Sequence, residues 1–196
     1  MRKDVRPYRQ VARAAATEEM RSRVVVAFDA AMRDRQMEDI TLDQIAAAAR
    51  TTRQTVIRLF GGKNGLVEAF VDHFAQGVKR RRVMPTTASP QHVTEALFED
   101  YEEVGDFVIR MLAQEDRHPV LSIWHNLGRA THRGWITDVF AKALPMEAQA
   151  QETMVSQLVI AGDVYTWKLL RRDFKLSVDA AQRVMSSMFS KLLKEE

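Results

Sequence analysis

The sequence has no cysteine, few glycines and prolines, and no long apolar run. Without cysteine the chain forms neither disulfide bonds nor thiolate zinc sites, and a reducing cytoplasm is its expected compartment. The 8 Gly and 5 Pro stand against 10 Met in 196 residues, a composition that favours an all-α protein. No apolar run approaches the roughly 18 residues that span a bilayer, and the first residues lack the apolar core of a signal peptide. We therefore expect a soluble, cytoplasmic protein.

Charge is distributed unevenly along the chain. The net charge is +3, yet residues 1–83 carry 17 Lys and Arg against 10 Asp and Glu, which gives +7. Residues 84–196 carry 12 Lys and Arg against 16 Asp and Glu, which gives −4. Because polyanions attract basic surfaces, this asymmetry predicts that only the first part of the chain meets a nucleic acid.

The most informative stretch of the sequence runs from Ile40 to Lys63. Thr41 can cap a short helix whose apolar residues recur at helical spacing, and the alanines of this helix allow a neighbour to cross it closely. After an interruption at residues 50–52, a second helix is predicted from about Arg53 to Phe60. Two short helices joined by a tight turn predict a helix-turn-helix, whose second helix presents polar and basic residues suited to phosphates and base edges. The inward residues of this second helix are Val56, Leu59 and Phe60, and the outward residues are Arg53, Gln54, Thr55 and Arg58.

The order and spacing of this stretch resemble those of the TetR family of transcriptional repressors. The matching residues are Thr41, Ile45, Ala46, Ala49, Thr55, Val56, Phe60, Lys63 and Leu66. Three positions depart from the family pattern: Arg50 replaces the turn glycine, Ile57 replaces a phosphate-contacting tyrosine, and Gln36 replaces a glycine that ends the preceding helix. An arginine at a left-handed turn position costs roughly 1 kcal/mol, which a fold can absorb. The missing tyrosine hydroxyl bears on DNA affinity more than on the fold.

The resemblance implies an all-α protein of about nine helices that acts as a ligand-responsive transcriptional repressor. An N-terminal three-helix DNA-binding domain would be followed by a C-terminal helical domain for ligand binding and dimerisation. A homodimer would occupy a palindromic operator in double-stranded DNA. The residues expected at DNA are Thr41 and Lys63 on phosphates and Thr52, Arg53, Gln54, Thr55 and Arg58 in the major groove.

A basic arm precedes the first predicted helix, which spans about Thr17 to Met37. The arm contains Arg2, Lys3, Arg6, Arg9 and Arg13. We expect it to be poorly ordered up to about Ala12. It either reaches a minor groove or phosphates, or is a solvated tail.

The boundary between the two domains is predicted between residues 83 and 84. A fourth helix, from Lys63 to about Arg80, ends in four consecutive cations at residues 79–82, which we interpret as a solvated helix end. Residues 85–90 then combine Pro, Thr and Ser and form the clearest linker of the chain. The first domain thus covers residues 1–83, with the arm, the helix-turn-helix and the connecting helix, and the second covers residues 84–196.

The last two predicted helices have contrasting apolar patterns. The first, from about Glu147 to Arg171, is apolar around its whole circumference, so it is buried on more than one side. The second, from Ser177 to Leu193, carries one broad apolar stripe. Such a pair is typical of a four-helix bundle built from two copies, and the alternative is that it completes a monomeric core. The candidate dimer residues are Leu158, Tyr165, Val184, Met185, Met188, Phe189 and Leu192.

The resemblance also places an effector cavity among the helices of the second domain. Aromatic and Met side chains with few polar groups are typical of an apolar small-molecule site, and equally of a core. His125 and Asp106 could anchor a polar group of the effector, which we expect to be small and hydrophobic. The candidate ligand-binding residues are Phe107, Met111, Trp124, His125, Phe140, Tyr165 and Trp167.

The sequence contains no recognisable catalytic or metal motif. His118, His125 and His132 are seven residues apart, whereas chelation by one helix needs a spacing of three or four. We find no Gly-rich phosphate loop, nucleophile elbow or Cys/His pair, so we predict that the protein is not an enzyme, has no cofactor and binds no metal. Two alternatives remain open: a TetR-like dimer with weakened DNA contact that binds a partner or ligand, and a helical enzyme whose site forms across helices.

Overall fold

A computed structural model describes residues 5–84 and 88–193, and the chain is all-helical over these residues, as predicted. Residues 85–87 of the predicted linker and the basic residues Arg2 and Lys3 lie outside this part. No helix in the described ranges is long and apolar enough to cross a membrane. The helices are α1 (Val5–Asp34), α2 (Leu42–Ala48), α3 (Arg53–Phe60), α4 (Lys63–Arg81), α5 (Pro90–Leu112), α6 (Pro119–Phe140), α7 (Ala148–Ala161), α8 (Val164–Lys168) and α9 (Val178–Leu192).

Contacts between residues divide the chain into two units, Met1–Phe74 and Ala75–Glu196. This division falls inside α4, whereas the sequence places the boundary at the linker after residue 83. The last turn of α4 belongs to the second unit because its cations pair with α5. The Nε atom of Arg81 lies 2.7 Å from Oδ1 of Asp100, and Nη2 of Arg82 lies 2.7 Å from Oδ2 of the same carboxylate.

Lys79 and Arg80 are exposed, as expected of a solvated helix end, whereas the ion pairs of Arg81 and Arg82 correct that interpretation for the last two of these four cations. The Asp100 side chain is 1% exposed and that of Arg82 is 10% exposed, so this pair is buried. The guanidinium of Arg82 also lies over the rings of Tyr101 and Trp135, 5.2 and 5.5 Å from their centroids. A buried charge needs such partners, because an unpaired one costs several kcal/mol.

Helix α1 is longer than the sequence predicts. It begins at Val5, so the expectation of a poorly ordered arm up to about Ala12 is wrong. The segment is rich in Ala and Arg, which favour helix, and Pro7 lies in the first turn, where proline is tolerated. Residues 11–19 are exposed, so this part of α1 extends beyond the core of the first unit.

The core of the first unit joins α1, α2, α3 and α4. The rings of Phe28 and Phe70 meet edge to face with centroids 5.7 Å apart. Ala46 of α2 and Ala49, which follows its last residue, are only 3% and 4% exposed, as expected for a helix that a neighbour crosses closely. Each large side chain buried here contributes on the order of 1.5–3 kcal/mol. The other buried residues include Val24, Met32, Ile45, Val56 and Leu66.

The second unit packs α6, α7, α8 and α9 around α5. A Cβ atom added at Gly105 of α5 would lie 2.5 Å from the Trp167 ring, so only glycine allows α8 to approach this closely. Trp167 is fully buried, and its Nε1 donates a 2.8 Å hydrogen bond to Glu102. The core includes Val93, Leu97, Phe98, Tyr101, Ile136, Phe140, Leu158, Met185 and Phe189.

The helix predicted from about Glu147 to Arg171 is interrupted at Gly162. Helix α7 ends at Ala161, and Asp163 caps α8 by accepting a 2.8 Å hydrogen bond from the backbone N–H of Tyr165. The chain then forms a π-helical turn at Leu169–Asp173 before α9 begins. A Cβ atom at Gly162 would lie 2.9 Å from the Phe189 ring, so packing against α9 explains the glycine at this break.

Candidate nucleic-acid interface

The first helix of the predicted motif begins with a complete capping box. Thr41 Oγ1 accepts a hydrogen bond from the backbone N–H of Gln44 at 3.2 Å, and Gln44 Oε1 accepts one from the N–H of Thr41 at 2.9 Å. This reciprocal pair satisfies two backbone donors at the start of α2. Because Oγ1 acts as an acceptor here, the hydroxyl hydrogen of the exposed Thr41 is available to a phosphate oxygen.

The turn between α2 and α3 is a Schellman motif with an arginine at its left-handed position. Arg50 has a φ of 53°, which confirms that the residue replacing the usual glycine adopts a left-handed conformation. Its N–H donates to the carbonyl of Ala47 at 3.1 Å, and the N–H of Thr51 donates to the carbonyl of Ala46 at 2.8 Å. These two hydrogen bonds satisfy backbone carbonyls at the end of α2. The left-handed backbone of Arg50 costs roughly 1 kcal/mol relative to glycine.

Helix α3 has a buried apolar side and an exposed polar side. Val56 is fully buried and Phe60 is 9% exposed, as predicted, whereas Leu59 is only half-buried. On the opposite side, Arg53, Gln54 and Arg58 are exposed, whereas Thr55, which is also predicted to face outward, is half-buried. The helix therefore presents two guanidinium groups and one amide to the surroundings, the donors that read base edges and phosphates.

Two threonines at the start of α3, Thr52 and Thr55, are hydrogen-bonded to each other. Thr52 caps the helix by accepting a 3.2 Å hydrogen bond from the backbone N–H of Thr55. The two hydroxyl oxygens are 3.0 Å apart, so one donates to the other and one hydroxyl hydrogen remains available. The pair thus fixes the first turn of α3 and keeps part of its hydrogen-bonding capacity for a ligand.

Arg53 makes only a loose ion pair. Its Nε lies 4.0 Å from Oδ2 of Asp43 on α2, and the two side chains are 61% and 70% exposed. Exposed pairs at this distance contribute little to stability. The guanidinium can therefore leave Asp43 for a stronger anionic partner at small energetic cost.

Arg21 of α1 supports the last turn of α3, a contact that the sequence reasoning missed. Its guanidinium donates to the carbonyl of Leu59 and lies 4.6 Å over the ring of Phe60. A cation is well suited to cap the negative end of a helix. The available signal was the position of Arg21 on the apolar face of α1, three and seven residues before Val24 and Phe28.

The connection from α3 to α4 depends on glycine. Gly61 and Gly62 have φ values of 75° and 142°, so both backbones are in regions that other residues rarely adopt. A Cβ atom at Gly65 would lie 2.0 Å from the carbonyl oxygen of Phe60. The first turn of α4 therefore lies directly against the end of α3.

Lys63 is engaged inside the first unit. Its ammonium group donates to the carbonyl of Met37, in the 3₁₀ turn that follows α1. Burial lowers the pKa of Lys63, and the nearby carboxylates of Glu38 and Asp39 partly offset this effect. Nζ keeps two further N–H donors, so a phosphate contact would be additional to its structural contact.

Ile57 occupies the position where the family pattern has tyrosine. Its side chain is half-buried and carries no hydrogen-bonding group. The centre of α3 thus lacks one of the phosphate contacts that the resemblance implies, and the exposed arginines and threonines are the groups that remain.

The structure brings only some of the predicted ligand-binding residues together. The rings of Phe107 and Trp124 are 5.9 Å apart, those of Trp124 and His125 are 4.7 Å apart, and His125 is close to the backbone of Met111. Tyr165 is 56% exposed and does not belong to the core. The other candidates are buried at separate contacts: Phe140 against Phe189, and Trp167 against Tyr101.

The two predicted polar anchors differ in their surroundings. Asp106 forms a bidentate pair with Arg172 at 2.8 Å for both contacts, and hydrogen bonding to this guanidinium lowers the pKa of Asp106. Burial lowers the pKa of His125, which is 5% exposed. Within the described part of the chain, Nε2 of His125 has no hydrogen-bond partner. His125 therefore keeps an unused ring nitrogen in a buried position, whereas both carboxylate oxygens of Asp106 already bind Arg172.

Three predicted dimer residues lie inside the core of the single chain. Leu158, Met185 and Phe189 are fully buried, so they cannot face a second copy. A single apolar stripe does not reveal whether its partner belongs to the same chain, which explains the misassignment. The remaining candidates have exposed or partly exposed side chains: Tyr165, Val184, Met188 and Leu192.

The outer side of α9 carries an open surface cavity of about 490 Å³. Val184 and Met188 contribute apolar surface to it, and Arg183 and Lys191 contribute charge. The other lining residues are Leu176, Ala180 and Ser187. Over residues 5–84 and 88–193, no group of three His, Cys, Asp or Glu residues is placed to hold a metal ion.

The short helices α2 and α3, covered by α1 and α4, have the geometry of a helix-turn-helix domain, and a separate helical unit follows. No family model and no curated protein matches the sequence. Among solved structures, the chain is similar to the crystal structure of a TetR-family transcriptional regulator from Streptomyces coelicolor. The TM-score is 0.68 at 17% identity, over 91% of this chain and 90% of the other. The chain therefore has a TetR-like fold.

Proposed function

We propose that this protein is a ligand-responsive transcriptional repressor that binds a palindromic operator as a homodimer. The observation that carries the proposal is the two-sided character of α3. Val56 is fully buried, whereas Arg53 and Arg58 are exposed on the other side of the same eight-residue helix. A rigidly packed helix with exposed arginines, next to a tight turn, fits the major groove of DNA.

We assign Thr52, Arg53, Gln54, Thr55 and Arg58 to the major groove. Thr41 would donate its hydroxyl hydrogen to a phosphate, and Lys63 would contact another with the donors that Met37 does not use. Phosphate contacts position the protein, and base contacts specify the sequence. This division assigns sequence reading to α3 and alignment to the starts of α2 and α4.

Dimerisation is proposed through the outer side of α9. Val184 is 40% exposed, and Met188 and Leu192 are partly exposed beside it. A second copy related by a two-fold axis would cover this surface and the cavity on it. Because a two-fold dimer presents two identical reading helices, its operator is expected to be an inverted repeat.

The effector is proposed to bind in the second unit near Phe107, Trp124 and His125. Two aromatic rings and an unpartnered imidazole nitrogen suit a small, largely apolar molecule with one polar group. Such a ligand changes DNA affinity only if it binds more tightly to the conformation that does not fit the operator.

The decisive experiment is selection of bound sequences from random double-stranded DNA with the full chain. We expect enrichment of an inverted repeat whose half-sites are about one helical turn apart, or a multiple of that distance. An enriched inverted repeat supports the helix-turn-helix assignment and the two-fold dimer together. Recovery of unenriched sequences at low salt and at physiological salt would contradict the proposal.

A second candidate function is a TetR-like dimer with weakened DNA binding that acts on a partner or a ligand. Two observations favour it: Ile57 lacks a hydroxyl, and the Lys63 ammonium is already bound to the carbonyl of Met37. The two functions differ in the ratio of specific to nonspecific affinity, which is 10³ or more for typical specific binders. A ratio near one, measured at a stated salt concentration, would favour this second function.

A further inference from the structure

The turn between α2 and α3 holds an arginine where a glycine would be less strained. Arg50 has a φ of 53° and its side chain is exposed. Among the non-glycine residues that the structure describes, the second with a positive φ is Lys175, which is also exposed. Strained backbone conformations cluster at sites where the residue has a function. Because Arg50 and Lys175 share this strain, the feature that distinguishes Arg50 is its location.

Position 50 continues one side of α2. Asp43, Ala47 and Arg50 follow one another at intervals of four and three residues, the spacing of residues that share a helix face. The N–H of Arg50 donates to the carbonyl of Ala47 at 3.1 Å, which holds position 50 against the last turn of α2. Asp43 is the residue that Arg53 of α3 approaches to 4.0 Å. Arg50 therefore lies on the side of α2 that adjoins the first exposed arginine of α3.

Arg50 is also close to the start of the helix assigned to the major groove. Thr52, the first residue of that assignment, follows two positions later, so its Cα is at most about 7.6 Å from that of Arg50. Within the described part of the chain, the guanidinium of Arg50 has no hydrogen bond or ion pair. An exposed and unengaged guanidinium suits a phosphate, which it can bind through two parallel N–H groups.

The helix-turn-helix as a whole is positively charged. Residues 41–62 carry three arginines and one aspartate, a net charge of +2. Two of these arginines, Arg53 and Arg58, are assigned to base edges. Ile57, between them, has no hydrogen-bonding group with which to hold a phosphate. Arg50 is the third arginine, and its place in the turn before α3 puts it where a groove-bound helix leaves the groove and meets the DNA backbone.

We propose that Arg50 binds a backbone phosphate of the operator, at the edge of the major groove that α3 enters. The inference rests on the proposed function, because it needs a bound duplex. Phosphates carry no sequence information, so Arg50 contributes affinity and orientation to operator binding and leaves the choice of bases to α3. The side chain that strains the free protein thus stabilises its complex with DNA.

The test compares the salt dependence of DNA binding by the full chain and by an R50Q variant. The DNA is the duplex most enriched in the selection from random sequences. Loss of one phosphate contact in each copy of a dimer should lower the slope of log affinity against log salt by about 1.8 in magnitude. Between 50 and 200 mM salt, the wild type should therefore lose about 12-fold more affinity than the variant. The specific-to-nonspecific ratio should stay within a few-fold of the wild type.

The matched control is a K175Q variant. It removes one positive charge from the other exposed residue with a positive φ, which lies in the second unit. Its salt slope should equal that of the wild type. Equal slopes for R50Q and the wild type would overturn the proposal, as would an equal decrease in K175Q. A specificity ratio at least tenfold lower in R50Q would show that Arg50 reads a base, and would also overturn it.

A second variant, R50G, separates the role of Arg50 at DNA from its role in the fold. Glycine adopts a positive φ without strain, so this variant should unfold at a higher temperature than the wild type. Its salt slope should nevertheless be reduced as much as that of R50Q. A loss of DNA affinity in a more stable protein does not come from damage to the fold. A more stable R50G with the slope of the wild type would contradict the phosphate contact.

Failure of the Arg50 proposal and failure of the proposed function give different results. If the wild type binds an inverted repeat specifically and R50Q keeps its salt slope, only the Arg50 proposal fails. If the wild type shows no sequence preference but R50Q lowers the slope of binding to random duplexes, Arg50 binds phosphate while the operator-binding function fails. Absence of binding by the wild type at low salt would overturn both.

Discussion

The buried His132 makes the second unit sensitive to acid. Its side chain is 8% exposed, and its Nδ1 lies 3.1 Å from Nη1 of Arg82. Because the guanidinium can only donate, Nδ1 accepts and the imidazole is neutral. Burial, with a further contribution from the Arg82 charge, lowers the pKa of His132 to about 3.

The pH range of this effect follows from the two pKa values of His132. The unfolded chain takes up a proton near pH 6.5, whereas the folded chain resists protonation down to a pKa of about 3. Stability is therefore complete above pH 6.5 and is lost progressively as the pH falls through this window. At pH 5, about 1.5 units below the pKa of the unfolded state, protonation of His132 in the unfolded chain lowers the free energy of unfolding by about 2 kcal/mol.

The assay is urea unfolding of the wild type and of His132→Gln at pH 7.5 and pH 5.0. The glutamine carbonyl can accept from Arg82 but does not titrate, so the variant should lose about 2 kcal/mol less than the wild type between these pH values. Other groups, such as His125, titrate in both proteins and cancel in the comparison. An identical pH dependence in the two proteins would refute the assigned neutral state of His132.

Three further predictions concern single substitutions. Arg50→Gly should stabilise the first unit by about 1 kcal/mol in thermal unfolding, because glycine adopts positive φ without strain; unchanged stability would contradict the assigned turn. Gly105→Ala should destabilise the second unit by about 1–3 kcal/mol in urea unfolding, because its methyl group meets the Trp167 ring; a neutral result would exclude that contact. Arg53→Ala or Arg58→Ala should each weaken operator binding by about 1–3 kcal/mol if the side chain reads a base; full affinity in both would exclude this face.

The features that the sequence predicts correctly are local. The cap at Thr41, the left-handed turn at Arg50 and the buried Val56 depend on residues a few positions away, so their pattern is visible in the chain itself. Helix α3 illustrates this, because Val56 and Phe60 are buried and Arg53, Gln54 and Arg58 are exposed as predicted, with only Leu59 and Thr55 between the two extremes.

The features that the sequence does not predict depend on distant partners. Arg82 and Asp100 are 18 residues apart, and nothing near either residue indicates that they meet. The break at Gly162 becomes explicable only when the Phe189 ring is known to lie against it. Likewise, Met185 sits on an apolar stripe, but the stripe does not tell whether its own chain or a second copy covers it.

The ion pairs of Asp100 restrict how the connecting helix can rearrange. A movement that withdrew the last turn of α4 from α5 would leave this carboxylate isolated in the protein interior, at a cost of several kcal/mol. Small displacements at Arg81 and Arg82 are therefore expected to carry α5 along with them. The last turn of α4 and helix α5 should therefore move together when either of them is displaced.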